Sequence, residues 1–140
     1  MAGSPLITPP RHDAVASVLA VDDQAVFLGA IRKLIGATPG MLIVGEAACG
    51  EEALELVESL RPDLVLMDVS MPGVGGLQAA RQIKSVHPET VVALLSTTHP
   101  AELACEGSAC PGDALIWKRD LRPRVLEEIW EQHRPRPAAA

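Results

Sequence analysis

A chain of 140 residues is the size of one domain and is long enough to enclose a hydrophobic core. Hydrophobic residues make up 48% of the chain but aromatic residues only 2%, so the expected core is aliphatic, as in parallel sheets covered by helices. The formal net charge of −6 argues against direct binding of nucleic acid or of an anionic membrane by this chain. The three cysteines, Cys49, Cys105 and Cys110, lack the spacing of a zinc site and are expected to be cytosolic thiols.

The two ends of the chain differ in composition from its middle. Residues 1–16 mix proline, serine and charged residues without the apolar stretch of a signal peptide, and we expect them to form a flexible leader. Residues 17–133 are expected to form one folded domain. The proline-rich stretch 134–140 is predicted to be a flexible tail or the start of a linker. These features favour a cytoplasmic protein without a membrane span.

Strand-like and helix-like segments alternate at short intervals along residues 17–133, which is typical of successive βα units. Short apolar runs predict strands over residues 18–21, 42–44, 64–67, 91–95 and 114–117. Apolar residues at helical spacing predict helices over residues 24–37, 51–60, about 77–87, and from Pro123 onward. The intervening segment around Gly107 contains several Gly and Pro residues, so we expect its helix to be short, irregular or mobile.

Polar side chains follow four of the five predicted strands. Asp22 and Asp23 follow the first strand, Asp68 the third, Ser96 the fourth and Lys118 the last. Because ligands of open parallel sheets bind beyond the carboxyl ends of the strands, these side chains are expected to face one crevice. Asp68 by itself could merely cap a turn. Three neighbouring acids, however, resist ionising together without a cation, and Mg²⁺ prefers such oxygen ligands.

Three acids, a hydroxyl and a lysine are the groups that phosphoryl transfer onto a carboxylate requires. In this interpretation Asp68 attacks phosphorus, and Mg²⁺ held by the acids neutralises charge on the phosphoryl oxygens. The hydroxyl of Ser96 and the ammonium of Lys118 then bind those oxygens. The pattern therefore predicts a carboxylate that becomes phosphorylated.

Three motifs carry a family resemblance: Asp22-Asp23 after an apolar run, the pattern Leu-Met-Asp68-Val-Ser-Met-Pro-Gly, and Ile-Trp-Lys118. In this order and spacing, residues 17–133 resemble the response-regulator receiver domains of two-component signalling. Residues 44–54 are most similar to receivers of the LuxR-type (NarL-like) transcription factors. The resemblance implies an α/β fold, a flavodoxin-like (βα)5 doubly wound parallel sheet with strand order 2-1-3-4-5.

The resemblance also implies the function. A receiver takes phosphate from a sensor histidine kinase and switches a partner-binding face, and it is not a turnover enzyme. The implied partners are the kinase and either a downstream output domain or a second copy. Asp68 is the implied phosphoacceptor, Ser96 the switch hydroxyl and Lys118 the phosphate counter-charge. The implied Mg²⁺ ligands are Asp22, Asp23, Asp68 and the backbone carbonyl of Ser70.

The sequence departs from the receiver pattern at several positions. Leu115 stands where an aromatic residue is expected three positions before Lys118, and Thr97 stands where a small residue usually follows the switch hydroxyl. The main alternative, favoured by Leu115 and by the weak helix around Gly107, is a receiver-like binding module whose switch is weakened and independent of phosphorylation. A phosphatase resembling the haloacid dehalogenases is less favoured, because Ser70 occupies the position of their second acid.

Overall fold

The computed structural model of this chain describes residues 15–98 and 110–135. Five strands form a parallel sheet in the order β2-β1-β3-β4-β5, which confirms the predicted fold. The strands are β1 (Ala16–Val21), β2 (Met41–Ala47), β3 (Leu64–Asp68), β4 (Val91–Ser96) and β5 (Ala114–Trp117). The helices of the described residues are α1 (Ala25–Gly36), α2 (Gly50–Leu60), α3 (Gly76–Val86) and α4 (Pro123–His133). A short 3-10 turn over Lys118–Asp120 follows β5.

The central strand β3 is buried along its whole length. Its side chains alternate between the two faces of the sheet, so Leu64 and Leu66 pack on one face and Val65 and Met67 on the other. Helices cover both faces, which is why the strand is a continuous apolar run rather than an alternating one. Asp68 ends this run at the carboxyl edge of the sheet.

Each helix buries the apolar side that its sequence pattern predicts. One face of the sheet is covered by α1 and α4 through Ile31, Ile35, Leu126 and Ile129. The other face is covered by α2 and α3 through Ala53, Val57, Ala79, Ala80 and Ile83. Phe27, at the start of α1, packs against the first of these clusters but stays partly exposed.

The edge strand β2 is longer than its apolar run of residues 42–44. It continues to Ala47 because Gly45 and Glu46 pair with Leu19 and Ala20 after a shift in register. Gly and Glu are weak strand formers, so the sequence pattern alone stops short of them. The Glu46 carboxylate also accepts hydrogen bonds from Arg32 of α1 at 2.6 and 2.8 Å, which fastens this edge strand to the helix.

The start of β5 is held by a polar contact with α3 and β4. The ammonium of Lys84 lies 2.9 Å from Oδ2 of Asp113, and the same oxygen accepts a hydrogen bond from the backbone N–H of Val92 at 2.8 Å. Lys84 also donates to the carbonyl of Thr90 at 2.7 Å. These bonds fix the start of the strand that ends at Lys118.

Several predicted segments lie wholly or largely outside the described residues. The irregular helix expected around Gly107 falls mostly within residues 99–109, and the predicted leader and tail fall mostly within 1–14 and 136–140. Ala16, which we placed in the leader, is the first residue of β1. Within residues 15–98 and 110–135, no helix combines the length and the apolar character needed to cross a membrane.

Candidate functional site

Three carboxylates meet at the carboxyl edge of the sheet. Asp22 and Asp23 follow β1, and Asp68 is the last residue of the neighbouring strand β3. One oxygen from each of the three lies within 4.8 Å of the others. Asp22 is fully buried and Asp68 nearly so, whereas Asp23 is exposed. The structure therefore brings together the three acids that the sequence analysis singled out, with one side of the cluster open to solvent.

Lys118 supplies positive charge to this cluster. Its ammonium nitrogen lies 2.7 Å from Oδ2 of Asp22 and 3.2 Å from Oδ1 of Asp68. The lysine follows β5, which is separated from β3 by β4, so its long side chain spans the end of β4 to reach the acids. Only 8% of that side chain is exposed, and the ion pairs are consequently little screened by water.

Burial is the main influence on the charge of Asp68. It raises the pKa of this carboxyl, since a charged group is less stable away from water. Lys118 opposes the shift by favouring the carboxylate, while the negative charges of Asp22 and Asp23 add to it. The net effect is a pKa above the ordinary value of an aspartate, so the ionised Asp68 is held in an unfavourable environment that additional positive charge would relieve.

The hydroxyl of Ser96 is engaged within its own turn. Ser96 is the last residue of β4 and is 4% exposed. Its Oγ donates to the carbonyl of Thr98 at 2.7 Å and accepts from the N–H of Thr98 at 2.9 Å. To donate to an oxygen of a group bound at Asp68, this hydroxyl has to give up its bond to the carbonyl of Thr98, because it has a single O–H. Its assignment as a switch residue stays a prediction.

Ser70 lies two residues beyond the end of β3, in the segment that leads to α3, and it is exposed. That segment returns toward the strand, since the N–H of Gly76 donates to the carbonyl of Val69 at 3.0 Å. The assignment of the Ser70 carbonyl as a metal ligand also stays a prediction.

The acid cluster has the donor chemistry of a divalent cation site. Carboxylate oxygens are hard ligands of the kind that Mg²⁺ prefers, and three of them lie close enough to share one ion. Two of the three carboxylates are buried, and the ammonium of Lys118 offsets only one of their negative charges. A hard cation held by Asp22, Asp23 and Asp68 would supply the missing charge, so the residues present fit the predicted metal.

Two aromatic residues near the site were not assigned to it by the sequence analysis. The ring centroid of Phe27 lies 4.0 Å from Nζ of Lys118. The indole N–H of Trp117 donates to the carbonyl of Thr97, next to Ser96, at 3.1 Å. Phe27 belongs to the apolar spacing that predicts the helix over residues 24–37, and Trp117 ends the predicted strand over residues 114–117. The position of Trp117 directly before Lys118 was the available signal for Trp117, whereas nothing in the sequence pairs Phe27 with Lys118.

Comparison with known proteins identifies the family. The family model for the response regulator receiver domain matches residues 18–129, which include all of the acids described above and Lys118. The chain belongs to this family. It is a receiver domain of the two-component type, with the five-stranded parallel sheet expected of one.

Similar proteins include several response regulators. The chain is 38% identical to response regulator GacA of Pseudomonas aeruginosa over 96 residues, which cover 66% of this chain and 45% of GacA. It is 34% identical to the nitrate/nitrite response regulator protein NarL of Escherichia coli over 117 residues, covering 84% of this chain and 54% of NarL. This receiver thus spans about half the length of these two relatives.

A solved structure gives the same assignment. The response regulator domain of CheB from Thermotoga maritima superimposes with a TM-score of 0.75 at 31% identity, covering 88% of this chain and 99% of that domain. The predicted resemblance to receivers, including those of the NarL type, is therefore confirmed.

Proposed function

We propose that Asp68 of this receiver domain accepts a phosphoryl group from a sensor histidine kinase in a Mg²⁺-dependent reaction. The observation that carries the proposal is the position of Asp68: it ends a buried strand, contacts Lys118 at 3.2 Å and shares a cluster with Asp22 and Asp23. A carboxylate with no chemical role is rarely placed beside two others in a nearly buried site.

The transfer step involves one nucleophile and one leaving group. A carboxylate oxygen of Asp68 bonds to phosphorus, and the P–N bond to the kinase histidine breaks. The ring nitrogen of that histidine keeps the electron pair and takes up a proton from water. The product is an acyl phosphate on Asp68, and the reacting form of this residue is the carboxylate, so the attack itself needs no separate base.

The neighbouring residues of the chain have distinct tasks in this proposal. Asp22, Asp23 and Asp68, together with the carbonyl of Ser70, would hold Mg²⁺, which when bound supplies positive charge that offsets the repulsion between the acids and a phosphoryl group. The ammonium of Lys118, already 3.2 Å from Oδ1 of Asp68, lies within reach of phosphoryl oxygens attached there. The hydroxyl of Ser96 is proposed to turn from Thr98 toward the same oxygens and so to report the modification.

The downstream partner is part of the proposal as well. GacA and NarL are response regulators roughly twice the length of the matched segment, and we infer that this receiver likewise acts through an output domain or a second copy. The net charge of −6 makes the receiver itself a poor ligand for nucleic acid. We propose that it acts in the cytoplasm, where a kinase of this class presents its phosphohistidine.

The test is chemical. The protein is incubated with acetyl phosphate and Mg²⁺, and its intact mass is measured. We expect the mass to increase by one phosphoryl group in the wild type and in Asp120→Asn, which changes an exposed acid just beyond Lys118, but not in Asp68→Asn. Omission of Mg²⁺ should abolish the modification. A phosphorylated Asp68→Asn protein, or a wild type that is never modified, would contradict the assignment.

Two observations favour the second candidate, a binding module whose switch does not depend on phosphate. The Ser96 hydroxyl is already satisfied on both sides by Thr98, and Leu115 packs against the α2–α3 side of the core without a polar group to exchange with water. Amide hydrogen exchange, measured with and without phosphorylation, distinguishes this candidate from a phosphorylation-dependent switch. A wild type that is phosphorylated at Asp68 with no change in exchange anywhere in the domain would support this second candidate.

A further inference from the structure

The aromatic ring of Phe27 faces the ammonium group of Lys118. The ring centroid and Nζ are 4.0 Å apart, well inside the distance at which a cation is attracted to the face of an aromatic ring. Phe27 is the sole phenylalanine among the 140 residues. It lies in the first turn of α1, four residues after Asp23, so the helix that begins beside the acids also brings the ring to the lysine.

The environment of the ammonium makes this contact stronger than one at a surface. Carboxylate oxygens of Asp22 and Asp68 lie 2.7 and 3.2 Å from the ammonium nitrogen of Lys118. The lysine side chain is only 8% exposed. In such a site the cation has already lost most of its water, so the attraction of the ring is not offset by a further loss of hydration. The ring also has no charge or hydrogen-bonding group, so it does not compete with the acids for a metal or for phosphoryl oxygens.

The ring of Phe27 also restricts the movement of Lys118, because a cavity lies beside the two side chains. Phe27 and Lys118 line a cavity of about 230 Å³ together with Ala30, Ile31, Leu34 and Leu121. A lysine side chain has four flexible carbon–carbon torsions and can move into any such space when it is not restrained. The ring of Phe27 therefore limits the positions that the ammonium can adopt on the side facing α1.

We propose that Phe27 is a positioning residue that holds the ammonium of Lys118 over the acid cluster, where it meets the phosphoryl group. The proposal rests on the phosphoacceptor function proposed above. It adds a specific claim, that the affinity of the site for a phosphoryl group depends on an aromatic ring at position 27 in addition to the charged residues.

The first experiment measures binding of beryllofluoride, a phosphoryl mimic, in the presence of Mg²⁺. We expect Phe27→Leu to weaken binding roughly tenfold, the factor that corresponds to about 1.4 kcal/mol. Phe27→Tyr keeps the ring face and should bind within about twofold of the wild type. Leu34→Ala is the matched control, because it removes apolar contact from the same cavity seven residues further along α1. It should leave the affinity unchanged.

The second experiment uses the metal-free protein and no ligand. Protons of the Lys118 ε-methylene group should show an upfield ring-current shift in the NMR spectrum of the wild type and of Phe27→Tyr, and an ordinary shift in Phe27→Leu. This readout does not require Asp68 to accept phosphate, so it tests the ring contact even if the proposed function fails. An ordinary shift in the wild type, or equal losses of affinity in Phe27→Leu and Leu34→Ala, would overturn the proposal.

Discussion

The ammonium of Lys118 lies 2.7 Å from Oδ2 of Asp22, and that carboxylate is fully buried. The two residues are 96 positions apart, at the ends of the last and first strands. The other oxygen of Asp22, Oδ1, accepts a hydrogen bond from the N–H of Gln24 at 2.9 Å. Lys118 is therefore the side chain that balances the charge of Asp22 in the metal-free domain, besides its proposed role in binding phosphate.

Replacing Lys118 by Met should destabilise the metal-free domain by about 3–5 kcal/mol, the usual cost of leaving one partner of a buried ion pair without its counter-charge. Urea unfolding in EDTA measures the loss. Arg124→Met changes an exposed cation on α4 and should alter stability by less than about 0.5 kcal/mol. Adding Asp22→Asn to the Lys118→Met variant should restore part of the loss. A decrease below about 1 kcal/mol for Lys118→Met would show that Asp22 does not depend on the lysine.

Stability should also depend on pH through Asp68. Because the folded state raises the pKa of Asp68, the native protein holds a proton there more readily than the unfolded chain does. The contribution of Asp68 to stability is therefore fully present below its ordinary pKa, near 3.9, and is lost as pH rises through the raised value. Asn resembles the protonated acid, so Asp68→Asn should be more stable than the wild type at neutral pH in EDTA.

The advantage of Asp68→Asn should shrink as the pH falls through the raised pKa and vanish below the ordinary value. Unfolding curves at a series of pH values measure this advantage, with Asp120→Asn as a control at an exposed acid just beyond Lys118. Saturating Mg²⁺ should reverse the order at neutral pH, because the wild type has one more carboxylate to bind the ion. If Asp68→Asn were less stable than the wild type in EDTA, the stabilisation of the carboxylate by Lys118 would exceed the cost of burying its charge.

Much of the fold and the positions of the acids could be predicted from the sequence because both depend on local patterns. A strand covered on both faces is a continuous apolar run, and Asp22, Asp68 and Lys118 each follow such a run. Parallel strands then bring their carboxyl ends to one edge whatever the details of packing. The order of the elements along the chain was therefore enough to predict that these three side chains meet.

Contacts between distant side chains could not be predicted in the same way. Phe27 and Lys118 are far apart along the chain, and the apolar spacing of α1 is satisfied whether Phe27 faces the core or a cation. The hydrogen bonds of Ser96 depend on a side-chain torsion that no sequence pattern specifies. The extension of β2 through Gly45 and Glu46 depends on pairing with β1, which outweighs their weak strand preference.

The loop after β3 offers a test of how closely α3 must approach Asp68. A side-chain carbon added at Gly76, the first residue of α3, would lie 2.1 Å from the carbonyl oxygen of Asp68, so the strand end or the helix has to move. At Gly75 the nearest atoms would be 3.6 and 3.8 Å away, which is ordinary contact. The two neighbouring glycines therefore form a matched pair.

Gly76→Ala should destabilise the domain by about 1–3 kcal/mol, as overpacking commonly does, and should weaken beryllofluoride binding because Asp68 is displaced. Gly75→Ala should change stability by less than about 1 kcal/mol and keep the affinity. Thermal unfolding and a binding titration on both variants give the comparison. Equal behaviour of the two variants would show that the position of Asp68 tolerates a shift of α3.

Trp117 should report the state of the segment after β4. Its indole N–H donates to the carbonyl of Thr97 at 3.1 Å, and the neighbouring Ser96 hydroxyl bonds to Thr98. If Ser96 turns toward a group on Asp68, the Thr97 carbonyl moves with it and this hydrogen bond is lost or lengthened. We therefore expect beryllofluoride with Mg²⁺ to change the fluorescence of Trp117. The side chain of Leu115, which is partly buried against the core, should move little.

Two single-tryptophan variants assign the signal, because the chain contains only Trp117 and Trp130. Trp130→Phe should keep the fluorescence change on binding, and Trp117→Phe should lose it while binding beryllofluoride as before. Ser96→Ala provides the causal control, since it removes the hydroxyl that we propose to draw the segment toward Asp68, and it should suppress the change at saturating ligand. A signal that persists in Trp117→Phe, or is undiminished in Ser96→Ala, would place the response on another part of the domain and make the contact between Trp117 and Thr97 purely structural.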